Sequence, residues 1–185
     1  MPRAGLTREQ VVDAAVRIAD AEGMDAVTLA RVARDLGVQP PSLYNHVEGR
    51  DALRRELALR GLDGLRSAWR DATVGRSGED ALLAMATAYR GFAREHPGLS
   101  AATTQAPESA DSALTAAAEE VVSVLLAVLA GYGLEGREAI HAARSVRSAL
   151  FGFVSIEQAG GFGMAEDPDE SYDWMVARLA AGLST

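Results

Sequence analysis

Residues 27–47 read VTLARVARDLGVQPPSLYNHV, and this stretch decides the fold. Gly37 separates two short helical segments and takes a turn conformation that is disfavoured for residues with a Cβ atom. Ala33 is small where the second segment has to cross the first at close range. Apolar residues supply a shared core, namely Val32, Leu36, Val38, Leu43 and Val47. The stretch predicts a helix-turn-helix, and the alternative is an ordinary helical hairpin around a glycine turn.

The second segment keeps its polar side chains on the side that faces away from this core. They are Gln39, Ser42, Tyr44, Asn45 and His46. In a helix-turn-helix this is the surface that enters the major groove of a duplex. Asn45 is the sole asparagine of the chain, and asparagine and glutamine are the side chains that bond adenine bidentately.

Helix signals continue on both sides of this motif. A first helix is predicted over 7–22, because Thr7 and Gln10 have the spacing of a capping box. The motif itself gives helices over 29–36 and about 40–46, and a long fourth helix follows over 50–73. Further helices are predicted over 78–95, 112–130, 137–159 and 168–183, with a polar, irregular loop over 101–111. No segment alternates convincingly as a strand, so the predicted fold class is all-α.

Composition and charge narrow the class of protein. The chain has no cysteine, which excludes disulfides, thiolate zinc sites and cysteine nucleophiles. Residues 1–60 carry nine arginines against nine acids, whereas residues 61–185 carry nine against seventeen, so the N-terminal third is the plausible contact surface for a polyanion. The first residues hold no signal-peptide pattern, and the longest apolar stretch, Val121 to Leu134, is too short for a bilayer. We therefore expect a cytoplasmic protein with no membrane partner.

Residues 7–54 resemble the DNA-binding domain of TetR-type transcriptional regulators. The resemblance rests on GMDAVTL at 23–29, LYNHV at 43–47 and GRDAL at 49–53. It implies phosphate contacts by Thr28, Tyr44, His46 and Arg50. It implies base-edge contacts by Gln39, Pro41, Ser42 and Asn45. Arg50 stands where the family often has lysine, which keeps the charge.

The C-terminal part resembles the WHG-type ligand-binding domain. The resemblance rests on residues 144–157, on Gly160-Gly161-Phe162 and on FAREHP at 92–97, but the naming Trp-His-Gly triplet reads Leu150-Phe151-Gly152. Together the two resemblances imply a helix-turn-helix DNA-binding domain over 1–50, which the long fourth helix joins to a ligand-binding and dimerisation domain over 51–185. They imply a homodimeric, ligand-responsive repressor that binds a palindromic DNA operator.

Two further sets of residues are candidates within the C-terminal part. In the resembled family the last two long helices form a four-helix bundle with their two-fold mates, which makes Arg147, Phe151, Val154, Tyr172, Met175 and Leu179 the candidate dimer interface. The alternative is that both faces of these helices are satisfied within one chain. The candidate pocket for a small, largely apolar effector comprises Trp69, Met85, Tyr89, Phe92, Leu125, His141 and Arg144. The alternatives are that the apolar members are plain core and that Arg144 pairs with Glu138.

Two other classes of function compete with a DNA-binding regulator. For an enzyme, His96 beside Glu95 and His141 near Glu138 superficially offer acid–base pairs. The sequence has no nucleophile elbow, no HExxH motif, no phosphate-binding glycine loop and no second histidine at metal spacing. It therefore predicts no catalytic residue, no metal and no cofactor. The other rival is a TetR-like helical protein-interaction module without DNA binding.

Overall fold

Most of the described residues lie in helices. The computed structural model describes residues 5–105 and 111–184, and within those ranges it contains no strand. The helices are α1 (Arg8–Glu22), α2 (Leu29–Leu36), α3 (Arg50–Thr73), α4 (Gly78–Glu95), α5 (Pro97–Ala102), α6 (Ser112–Ala130), α7 (Gly136–Gln158) and α8 (Pro168–Leu183), with short 3-10 helices at Met24–Ala26 and Pro40–Asn45. The prediction of an all-α fold is confirmed.

Local sequence signals account for the start of several helices. Thr7 caps α1 in a complete capping box with Gln10, and Asp167 caps α8 with Pro168 in its first turn. Two predictions need correction. The segment after Gln39 is a 3-10 helix, in which Ser42 N–H donates to Gln39 O at 2.9 Å. The loop predicted over 101–111 begins inside α5, and residues 106–110 lie outside the described ranges.

The packing divides the chain into two compact units. The first comprises the residues up to Asp63 together with Glu95–Ala117, and the second comprises Gly64–Arg94 and the residues from Ala118 onwards. The domain boundary expected after residue 50 stays a prediction.

In the first unit, α1 and α5 make an unusually close contact. Gly98 lies against α1 so tightly that a Cβ atom on it would come within 2.3 Å of the backbone carbon of Ala19. The next residue of α1, Asp20, accepts hydrogen bonds from Gly98 N–H at 2.8 Å and Leu99 N–H at 3.3 Å, and its other oxygen lies 3.4 Å from His96 Nδ1. Asp20 therefore satisfies N–H groups that a helix start leaves unpaired.

The second unit contains a partly buried ion-pair network. Arg90, 7% exposed, donates to Glu157, and Arg94 Nη2 lies 2.9 Å from Glu157 and 2.8 Å from Asp169. The Arg90 guanidinium also lies 4.6 Å from the centre of the Tyr172 ring. The network joins α4 to α7 and α8.

We expect Glu157→Gln to lower the free energy of unfolding by about 1.5–3 kcal/mol, because it removes a charge-assisted hydrogen-bond acceptor from a largely buried arginine. The hydrogen bond from Arg90 holds the pKa of Glu157 below its ordinary value of 4.5. A lowered carboxyl pKa stabilises the fold above the unfolded-state value and less as the pH falls. The difference in the free energy of unfolding between wild type and variant should therefore become smaller below about pH 4.5, as measured by denaturant titration.

The matched control is Asp80→Asn. It removes an exposed ion pair at 2.8 Å between Asp80, in the first turn of α4, and Arg76, in the turn that precedes α4. Exposed pairs contribute at most about 1 kcal/mol. Equal losses for the two variants would contradict the assignment of Glu157 to a stabilising network.

The helix α6 is long and apolar enough to cross a membrane by length and composition. The core helix of a soluble protein passes the same test, so one such helix is weak evidence.

Candidate nucleic-acid interface

The residues of the motif close into the predicted core. Gly37 has φ +65°, in the left-handed region, and ends α2. Val38 N–H then donates to Ala33 O at 2.9 Å, which turns the chain sharply into the next segment. Of the five predicted core residues, Val32, Leu43 and Val47 are buried, whereas Leu36 and Val38 are half-buried. Ala33, at the close crossing, is 1% exposed. The hairpin is therefore fixed by its own packing before any partner binds.

The 3-10 helix Pro40–Asn45 presents the predicted polar surface. Exposed side chains occur at Gln39, Pro41, Ser42, Tyr44 and Asn45, and His46 is half-buried. Tyr44 is 62% exposed although it is a large aromatic residue. Tyrosine is enriched at interfaces because it combines a large apolar ring with a polar hydroxyl.

The side chain of Arg50 binds to the backbone directly before Thr28. Thr28 Oγ1 accepts a hydrogen bond from Arg31 N–H at 3.1 Å and so caps α2. Arg50, the first residue of α3, donates from Nε to Val27 O and from Nη2 to Asp25 O, both at 3.1 Å. Its guanidinium is thus anchored directly before Thr28, although its side chain is still 45% exposed.

Arg34 is a cation that the sequence alone did not single out. It is exposed on α2 and forms no ion pair with the described residues. By contrast, Arg31 pairs with Glu22 at 2.6 Å and Arg54 with Asp25 at 3.1 Å. The signal in the sequence was a basic residue three positions after Arg31, on the same short helix.

The candidate pocket residues separate into two groups, all within the second unit. Trp69, Met85, Tyr89, Phe92 and Leu125 are core residues that are 9% exposed or less. Trp69 and Tyr89 have ring centres 6.5 Å apart, and the Nε1–H of Trp69 is buried with no hydrogen-bond partner among the described residues.

His141 and Arg144 are exposed and line a groove between α6 and α7. The groove has a volume of about 740 Å³, and its apolar lining comes from Leu126, Ala130, Leu134, Ala139 and Ile140. Arg144 forms no ion pair with the described residues, so the alternative pairing with Glu138 is not seen there. We call this the Arg144 groove.

The candidate interface residues also differ in exposure. Val154 and Tyr172 are 2% exposed, and Tyr172 OH donates to Ala86 O at 2.7 Å, so both are core residues of the second unit. The Tyr172 ring lies against α4, where the Arg90 guanidinium is 4.6 Å from its centre. Surface remains available at Arg147, Phe151, Met175 and Leu179.

A helix-turn-helix with an exposed polar second segment, followed by a long helix and a separate helical unit, defines a class of DNA-binding regulators. Comparison with known proteins agrees. Residues 11–57 match the bacterial regulatory proteins of the tetR family, and residues 82–179 match the tetracyclin repressor-like C-terminal domain. The latter match covers the part of the chain that the sequence assigned to a ligand-binding domain of the family.

Similar proteins cover nearly the whole chain. The chain is 41% identical over 181 residues to the uncharacterized HTH-type transcriptional regulator Rv0681 of Mycobacterium tuberculosis. The match covers 97% of this chain and 83% of that protein. The chain is 39% identical to the uncharacterized regulator YobS of Bacillus subtilis, with 98% and 95% covered. A solved structure from Rhodococcus sp. RHA1, described as of unknown function, superposes with a TM-score of 0.81 at 23% identity, with 100% and 98% covered.

The chain belongs to the TetR family of DNA-binding transcriptional regulators. The family and the relatives are regulators and not enzymes, which confirms that prediction. Regulators of this family bind DNA operators and small-molecule effectors and act as dimers.

Proposed function

We propose that this regulator is a cytoplasmic homodimer that represses transcription from a palindromic operator and releases it when a small, largely apolar effector binds. The observation that supports operator reading is the exposed polar surface of Pro40–Asn45 over a closed apolar core. A rigid presentation of polar groups is what base-edge contacts in the major groove require.

The residues divide into two roles on this proposal. Thr28, Tyr44, His46 and Arg50 contact phosphates, which fix the position of the protein on the duplex. Base edges are read by Gln39, Pro41, Ser42 and Asn45. Because residues 1–60 carry no net charge, affinity should be modest and should fall steeply with salt.

Selection of bound fragments from random double-stranded DNA tests the proposal and yields the operator. We expect Tyr44→Ala and Arg50→Ala each to weaken binding by a factor that is similar for the operator and for unrelated duplexes, because phosphate contacts carry no sequence information. For Arg50→Ala the slope of log binding constant against log salt concentration should also be smaller by about 1, because phosphate contacts act through counterion release. Asn45→Ala should instead relax the preference at one base pair, at a cost of about 1–3 kcal/mol on the operator. Competition mobility shifts at several salt concentrations measure both.

The control is Ser67→Ala, an exposed position of α3 in the second unit, which should bind as wild type does. Equal losses of Asn45→Ala on operator and on unrelated DNA would contradict its base-reading role. If selection enriches no sequence at all, the protein-interaction module becomes the better reading.

Effector response requires that a ligand favours one distance between the two copies of the Pro40–Asn45 helix in the proposed dimer. Dimeric helix-turn-helix proteins need half-sites one helical turn, or a multiple, apart. A ligand that binds one spacing more tightly shifts the population towards it. The continuous helix α3, which contributes residues to both units, is the element that would carry such a change.

The Arg144 groove supports the chemistry of the proposed effector. Its lining is mainly apolar, and His141 and Arg144 lie one turn apart at its edge, where they could fix the polar end of a ligand. The buried, unpartnered Nε1–H of Trp69 supports a second contact deeper in the same unit.

A thermal-shift screen of hydrophobic compounds, repeated with operator present, tests the effector. An inducer should raise the melting temperature of the free protein. The operator should weaken the binding of the inducer, and the inducer should weaken the binding of the operator by the same factor. Arg144→Ala should lose the response to anionic hits, whereas Arg178→Ala on α8 should keep it. Hits that leave operator affinity unchanged would contradict the regulatory role.

A further inference from the structure

Three arginines converge on a second groove of the second unit. It lies between the C-terminal turns of α3, the turn that follows them, and α6, with a volume of about 650 Å³. Its basic residues are Arg66, Arg70 and Arg76. The second unit has more acids than arginines, so the clustering of three arginines in eleven residues opposes the general charge of this unit. We call this the triple-arginine groove.

The arginines are only partly neutralised by the protein. Arg70 forms no ion pair with the described residues. Arg76 pairs with Asp80 at 2.8 Å, but both side chains are about half exposed or more, and such a pair contributes little. Glu120, which lies 3.3 Å from Arg66, is the one acid that the described part of the chain contributes to the lining of the groove. The lining therefore carries two more positive than negative charges.

The remaining lining has the chemistry of a small-molecule site. The hydroxyls of Thr73, Ser77 and Ser123 lie among the arginines, and the apolar lining comes from Val74, Val124, Ala127 and Val128. Thr73 Oγ1 already donates to Trp69 O at 2.8 Å, and Ser123 Oγ donates to Glu120 O at 2.7 Å. Both of these protons are therefore taken by backbone carbonyls. The hydroxyl of Ser77, directly before α4 begins at Gly78, donates to none of the described residues and is the one of the three that can donate to an anion.

The geometry points to a binding site for a phosphate monoester with a small apolar body. Guanidinium groups bind phosphate and carboxylate bidentately, but a phosphate carries about −1.5 to −2 charges at pH 7 and three acceptor oxygens, which matches the excess of positive charge better than a carboxylate does. The N-terminal turn of the 18-residue helix α4 adds a favourable dipole at one edge. This site has no residue in common with the Arg144 groove.

Phenyl phosphate, benzoate and phenol serve as probes of the full chain by calorimetric titration. We expect saturable binding of phenyl phosphate that is tighter than binding of benzoate, and no comparable binding of phenol. Arg70→Gln should weaken phenyl phosphate about tenfold or more, because a charge-assisted hydrogen bond is lost. Glu120→Gln should tighten it, since the variant removes the negative charge from the lining.

The matched control is Arg178→Gln, an exposed arginine of the same unit that stacks on Trp174, and it should bind phenyl phosphate as wild type does. If Arg70 only compensates the C-terminal dipole of α3, Arg70→Gln will lower the melting temperature and leave the dissociation constant unchanged, which overturns the proposal. Absence of saturable phenyl phosphate binding, or equal binding of phenol, also overturns it.

Discussion

Gly98→Ala should destabilise the first unit by about 3 kcal/mol or more, the largest effect of any single methyl group that we expect in this chain. The added Cβ atom would meet backbone atoms of Ala19 at 2.3 and 2.6 Å, and backbone cannot yield as the end of a flexible side chain can. Overpacking against fixed atoms forces a shift of whole helices. Denaturant unfolding followed by circular dichroism measures the loss.

Gly91→Ala is the matched control for this variant. Gly91 lies within α4, is exposed, and a Cβ atom on it would meet nothing within 4 Å. Replacing glycine by alanine inside a helix stabilises by about 0.5–1 kcal/mol. Opposite signs for the two alanines are expected, and a Gly98→Ala protein as stable as wild type would show that α5 does not pack on α1 as described.

Phe151→Glu should convert the proposed dimer into a folded monomer with little operator affinity. At the centre of a two-fold interface each residue meets its own copy, so the variant buries two repelling carboxylates. Phe151 retains surface on α7, whereas the neighbouring Val154 is core. Losing the second half-site contact should reduce affinity at least about a hundredfold.

Light scattering and mobility shifts at the same protein concentration test this prediction. Leu179→Glu on α8 should behave in the same way, whereas Thr87→Glu, an exposed position of α4, should leave the dimer and operator binding intact. A wild-type protein that is monomeric at micromolar concentration would contradict both the interface and the spacing mechanism.

The sequence was most informative where structure is fixed by near neighbours in the chain. The capping box of Thr7 and Gln10 and the cap and proline at 167–168 predicted the starts of two helices. The left-handed turn at Gly37 followed from its residue type. Consecutive prolines at 40–41 predicted a helix start, and a helix starts there, but the six residues close as a 3-10 helix.

Contacts between distant residues were not predictable in this way. His96-Pro97-Gly98 reads as a chain of helix breakers, yet α5 begins there, because Asp20 caps it and α1 leaves room for a glycine alone. Arg50 was expected to meet phosphates, but its bonds to carbonyl oxygens more than twenty residues away could not be seen in the sequence.

The same limit applies to the second unit. Arg66, Arg70 and Arg76 are visible as a basic cluster, but a groove exists only because α6 lies opposite them. Periodicity placed Trp69, Met85 and Val154 on apolar faces without separating a filled core from a cavity or an interface, since the same residue types line all three.

The close contact between Gly98 and Ala19 also limits how this chain can be recombined with related regulators. Hybrids that exchange operator specificity are most simply built by swapping the N-terminal segment, but a crossover at residue 50 would set a foreign α1 against this chain's α5. A side chain larger than alanine at position 19 would clash with Gly98 of α5. The loss of the carboxylate of Asp20 would leave the first N–H groups of α5 without their acceptor. A transplant that keeps both partners together must therefore take residues 95–117 along with the N-terminal helices, as a graft in two pieces.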